Sequence, residues 1–124
     1  MRKFLTGAAL AAGTLLFSAT VPASEVEHYQ GKEAKTLEEA VGNLREYNEK
    51  LQALIEQEEL TAGELEQVHQ LTYTLENALK RINTELSGIA GDLETVHLAS
   101  ERREADTVRE KGRAYLEQVD TLID

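Results

Sequence analysis

The sequence contains no cysteine and no tryptophan, a single proline, and only two phenylalanines, Phe4 and Phe17, both within the first twenty residues. Each absence excludes something. Without cysteine there is no disulfide framework, no covalent haem attachment through Cys-x-x-Cys-His, and no cysteine to carry a lipid anchor. The only methionine is Met1, so haem held by Met with His has no methionine inside the folded part to draw on. Stability must come from helix packing built on Leu, Ile, Val, Ala and some of the four tyrosines.

Long apolar runs are equally scarce. The one present, Phe4 to Thr20, follows Met1-Arg2-Lys3 and ends at Val21-Pro22-Ala23, where small residues flank a helix-stopping proline. This pattern predicts a cleavable signal peptide over residues 1–23, cut after Ala23, and export across a bacterial inner membrane into the periplasm. A spanning helix requires roughly 20 continuous apolar residues. This run is shorter and interrupted by Thr6, Gly7, Gly13 and Thr14, so no stable membrane anchor is expected after cleavage.

Positive charge is the last shortage. Thirteen Lys and Arg stand against 23 Asp and Glu, a net charge of −10, and removing Arg2 and Lys3 with the signal peptide takes this to −12. Such a surface repels nucleic acid and anionic lipid, both of which are bound by clustered basic side chains. Basic proteins, cations or other helices are the partners it admits. The remaining 24–124 is long enough for one domain.

Residues 24–35 show no apolar period and read as an extended segment. Thr36-Leu37-Glu38-Glu39 then has the S/T-x-x-E form of a capping box, in which the threonine caps an orphan amide and the glutamate reaches back to the cap. The stripe Leu37, Ala40, Val41, Leu44, Tyr47, Leu51, Leu54, Ile55 predicts a first helix over about 36–58, with Glu46 and Lys50 paired on its surface. Thr61-Ala62-Gly63-Glu64 repeats the box after the acidic run Glu56-Gln57-Glu58-Glu59, with Leu60 placed to staple onto Leu65. A tight turn there makes the first two helices antiparallel neighbours.

From Leu65 the apolar seam reads Leu65, Val68, Thr72, Leu75, Leu79, Ile82, Leu86, Ile89, Leu93, Val96, a heptad phase of coiled-coil type that runs through Gly88 and Gly91 without a slip. It predicts one long helix over about 62–100. The rival arrangement breaks this helix at Gly88 and runs a single helix from Asp92 onward. A new seam, Ala105, Val108, Gly112, Tyr115, Val119, Leu122, predicts a third helix over about 105–123. The fold class is therefore all-α, a small antiparallel three-helix bundle with a long central helix. Two helices cover each level of such a molecule, so part of the stripe stays wet and self-association into a four-helix layer is expected. Thr72 and Asn48, polar and on or beside apolar stripes, read as register-setting positions.

The one constellation with chemistry in it is a doubled Glu-x-x-His, Glu66 with His69 and Glu94 with His97. In carboxylate-bridged di-metal bundles this spacing places a carboxylate and an imidazole on one helix face, twice. Here the four residues fall outside the seam, and on one helix the two pairs lie about 42 Å apart. An antiparallel dimer would bring His69 of one chain beside His97 of the other. Glu25, Glu27 and His28 form a second small cluster in the extended segment. Ser-His-Asp catalysis lacks a nucleophile elbow and an oxyanion loop.

The segments Glu27-His28-Tyr29-x-Gly31-Lys32, Thr36-Leu37-Glu38-Glu39-Ala40, His69-x-Leu71-Thr72-Tyr73-Thr74-Leu75-Glu76, Val96-His97-Leu98-Ala99-Ser100-Glu101 and Gly112-x-x-Tyr115-Leu116 resemble a family of short exported helical proteins of Gram-negative bacteria, a domain of unknown function. The resemblance implies no activity and places the three histidines within its most recognisable segments. The sequence thus reads as a non-enzymatic periplasmic protein without a cofactor, acting through contacts with another periplasmic protein or with itself as a homo-oligomer. The alternative is a small metal- or haem-binding bundle using His69, His97 or His28.

Overall fold

The computed structural model describes residues 29–124. The segment read as a signal peptide and the cluster Glu25, Glu27, His28 lie outside them. Three helices follow in order, α1 Leu37–Ile55, α2 Ala62–Glu101 and α3 Ala105–Ile123, and the described residues contain no strand.

Two capped turns fold the chain back on itself. At Thr61 the capping box is complete: its Oγ1 accepts the Glu64 N–H at 3.4 Å, and its own N–H donates to Glu64 Oε2 at 2.6 Å. At Thr36 half of the predicted box forms. Its Oγ1 accepts from the Glu39 N–H, but the Glu39 carboxylate reaches one residue further back, to the Lys35 N–H at 2.7 Å. The second turn closes without a glycine. Arg103 adopts the left-handed region, φ 60°, while the Glu104 N–H donates to Ala99 O and the Arg103 N–H to Ser100 O, the paired bonds of a Schellman motif.

Between these turns α2 runs for 40 residues, unbroken through Gly88 and Gly91. Both glycines are exposed with open space around them, and each costs only about 1 kcal/mol against alanine in an otherwise packed helix. Helices α1 and α3 have 19 residues each, so end to end they match the roughly 60 Å of α2. They lie along it in that way. The first turns of α1 meet the last turns of α3, where Glu38, Val41 and Arg45 share a shallow cleft with Asp120, Thr121 and Asp124.

The packed side of α2 differs from the predicted seam. Val68, Leu75, Ile82, Ile89 and Val96 are buried or half-buried as read, but their companions are Leu71, Ala78, Glu85, Asp92 and Ala99. Leu65, Leu79, Leu86 and Leu93 point outward. The helix is thus turned by about 50° from the orientation hydrophobicity alone would choose. Small side chains explain part of this. Ala34, Ala40 and Ala78 form a buried cluster at the middle of α2, with Leu44 and Ile82 packed against it, and alanine allows backbones to approach closely.

Residues 29–35 explain the rest, because they lie in the groove between α1 and α2 as an irregular strap held by side chains. The Lys32 N–H donates to Thr74 Oγ1 at 2.9 Å, Asn77 Nδ2 donates to the carbonyls of Gln30 and Lys32, and Arg81 Nε donates to that of Ala34 at 3.0 Å. From α1, Asn43 Nδ2 reaches the Glu33 carbonyl. The buried polar residues are Asn43 and Thr74, not the predicted Asn48, which is exposed, or Thr72, whose hydroxyl bonds back to His69 O. Turning α2 to bury the leucines would take Thr74, Asn77 and Arg81 away from the strap and strand its backbone groups.

Two substitutions test this account in opposite directions. Gly31 has φ +67°, and a Cβ there would stand 2.8–2.9 Å from backbone atoms of Thr74 and Tyr73. Gly31→Ala is expected to lower the unfolding free energy by about 2 kcal/mol. Arg103→Gly removes a left-handed non-glycine residue from an exposed turn and should raise it by about 0.5–1 kcal/mol. Denaturant titration of each variant measures both.

Candidate functional site

Three features can carry chemistry or recognition: the predicted histidine pairs, the cleft at the head of the strap, and the outward row of α2. The histidine pairs do not converge. His69 and His97 are both exposed on the continuous α2, and 28 residues of helix place them about 42 Å apart. His69 packs edge-on to Tyr73, with 5.1 Å between ring centroids, and His97 Nε2 lies 3.3 Å from Glu101 Oε1. Glu66 accepts a bond from Gln70, and Glu94 is exposed. Among the described residues no three His, Cys, Asp or Glu side chains gather closely enough to hold a metal ion. His28 lies outside those residues.

The cleft at the head of the strap is open and holds about 420 Å³. Tyr29, Tyr47, Lys50 and Leu54 form one part of it, and Gln67, Gln70 and Leu71 of α2 the other. Tyr29 also leans on Tyr73, 6.2 Å between centroids. Beside it, Lys50 donates to Glu46 at 2.6 Å and covers the Tyr47 ring at 4.2 Å, while Lys32 of the strap stands 3.8 Å from the same glutamate. The Lys50 hydrogen bond holds the Glu46 carboxyl below its ordinary value, and that bond in turn raises Lys50. The pair therefore supports the fold above the ordinary carboxylate range, loses that support as pH falls through the lowered Glu46 value, and loses it again as pH rises through the raised Lys50 value. Both groups are exposed, so the contribution is small. This cleft is an open notch, and the ionic groups beside it pair with one another and with Lys32 of the strap.

The lower half of the molecule has its own polar clamp. Asp92 takes Lys111 Nζ at 3.3 Å and Gln118 Nε2 at 3.1 Å, which fixes α3 against α2 at a position where the seam has no apolar side chain. Glu85 takes Arg81, one turn before it on α2, at 3.3 Å. These carboxylates are satisfied structural groups.

The outward row of α2 remains. Leu65, Leu79, Leu86 and Leu93 are each 45–55% exposed, and they repeat at seven-residue spacing with Thr72 in phase between the first two. Beside them Asn83, Ala90 and His97 are exposed as well. A rigid 40-residue helix thus holds a row of apolar side chains in water, backed by α1 and α3 on its other side. The model of a protein family described as a family of unknown function, DUF6746, matches residues 1–124. The chain belongs to that family. No curated protein and no solved structure matches it. Membership covers the strap, all three helices and the outward row, and it brings no assigned activity to any of them.

The strap anchors escaped the reading of the sequence. Thr74, Asn77 and Arg81 stand at i, i+3 and i+7, so they form a polar row at helical spacing beside the apolar seam. That row was the available signal. It says that something polar lies along this side of α2, and an extended backbone is what a hydroxyl, an amide and a guanidinium in line can bind.

Proposed function

We propose that this protein is exported to the periplasm, loses residues 1–23 on the way, and works there without catalysis, as an acidic helical module that docks a partner helix along the outer side of α2. The observation that carries the reading is the outward row. Four half-exposed leucines at heptad spacing contribute little to the chain's own core, and exposed apolar rows of this length mark interaction surfaces. Covering each leucine would gain about 1 kcal/mol. The basic n-region, the apolar run and the Val21-Pro22-Ala23 boundary support export.

The partner must present an apolar stripe at three-and-four spacing, since only another helix matches a row rising about 10 Å per heptad. It need not be strongly basic along the row itself, because Leu79, Leu86 and Leu93 have Asn83, Ala90 and His97 beside them and Glu76 is the one carboxylate in the row. Elsewhere the acidic surface limits non-specific association.

A photo-reactive amino acid placed at Leu86, with Ser87 as the control position, tests the reading in the exporting cell. Irradiation is expected to give a defined adduct from position 86 and several-fold less from 87, on protein recovered from the periplasm with Ser24 as its first residue. Equal labelling at both positions, or none at 86, would remove the docking role; recovery of uncleaved chain from the cytoplasm would remove export.

A further inference from the structure

The partner itself can be inferred from the same row, and the inference rests on that row being a docking surface. We propose that its occupant is a second copy of this chain, with the two α2 helices antiparallel across a two-fold axis that passes between Asn83 and Leu86. Spacing gives the first reason. Leu79, Asn83, Leu86, Ala90, Leu93 and His97 alternate steps of four and three without a slip, so beside its buried seam α2 carries a second, exposed one.

Charge gives the second. Of the eleven residues that carry this spacing from Leu65 to Ser100 only Glu76 is acidic, in a chain with 23 acidic side chains and a net charge of −10. A copy of this chain is repelled by most of the surface and meets least resistance here.

Direction follows from what each register would oppose. Parallel helices in register would stack Glu76 on Glu76, and like charges directly opposed are destabilising; antiparallel helices set each Glu76 opposite Leu93 of the second copy instead. The antiparallel register sets Leu79 against Ala90 of the second copy and Leu86 against Asn83 of the second copy, bulk into small side chains. Each contact is then made twice, as a two-fold interface requires.

The size of the contact sets its strength. The row from Leu65 to Ser100 is roughly 50 Å long, and a strip about 10 Å wide along it covers on the order of 500 Å² per copy, or about 1,000 Å² in all. This is the lower edge of specific interfaces, so the dimer is reversible and visible only as concentration rises.

The sequence has no cysteine, so introduced cysteines report the register cleanly. Sedimentation of the processed chain is expected to show its mass rising toward twice the monomer value between micromolar and millimolar concentration. Leu86→Glu should stay monomeric with unchanged helical circular dichroism. Leu79→Cys mixed with Ala90→Cys should oxidise to a covalent dimer at least tenfold more than either variant alone. A wild-type chain that stays monomeric throughout overturns the proposal, and so does a covalent dimer formed readily by Leu79→Cys alone, which would mean parallel helices. If the wild type is monomeric while the cross-linker at Leu86 still captures a protein of another mass, self-association fails and the docking role stands; if the cross-linker also stays empty, both fail.

Discussion

The hydrogen bonds between the backbone of residues 30–34 and the side chains of Thr74, Asn77 and Arg81 decide which side of α2 faces inward. A strap with no regular structure has backbone groups that must find partners, and burying them unpaired costs more than leaving a leucine half in water. Gly31 lets the strap come within contact of the α2 backbone, and Ala34, Ala40 and Ala78 let α1 close over it. Once the strap is seated, the orientation of α2 is set along its whole length, because the helix is continuous. Ile89 and Ala99 then face α3, and the leucines face out.

The same constraint shapes what the molecule can do. Near the strap and at the α2–α3 contact ionic groups are paired, Glu46 to Lys50, Glu85 to Arg81, and Asp92 to Lys111. The histidines are far apart along a stiff rod. The outer side of α2 is apolar and linear, a row of leucines on a helix long enough to present it rigidly. Recognition by helix packing suits that geometry better than chemistry at a point, since a reacting atom needs convergent groups and shelter from water.

Much of the fold was legible because helix boundaries are written in local residues. Thr36 and Thr61 with glutamate three residues on give the starts of α1 and α2, and the unbroken phase across Gly88 and Gly91 carries α2 through a stretch whose composition looks like a turn. The choice of packed side was legible only by half. Leu79 and Leu86 are more apolar than Ala78 and Glu85, so periodicity prefers them. Packing chose otherwise for reasons held in other segments: alanines on α1 and on the strap, and carbonyls between residues 30 and 34. No rule applied to α2 by itself contains those. The Schellman turn at Arg103 was hidden for the complementary reason, since the residue expected in that conformation is glycine. The histidine pairs were legible as a motif, and the continuity of α2 separates them.

Side-chain truncation on the two rival faces of α2 tests the central claim most directly, by thermal unfolding at concentrations low enough to keep the chain monomeric. Leu86→Ala should change stability by less than about 1 kcal/mol, because that side chain is half in water already. Ala78→Val should cost about 1–3 kcal/mol, because one alanine there sets the distance to α1 and the strap. The reverse order, a large loss at Leu86 and tolerance at Ala78, would mean that the leucines form the core and that α2 faces the other way.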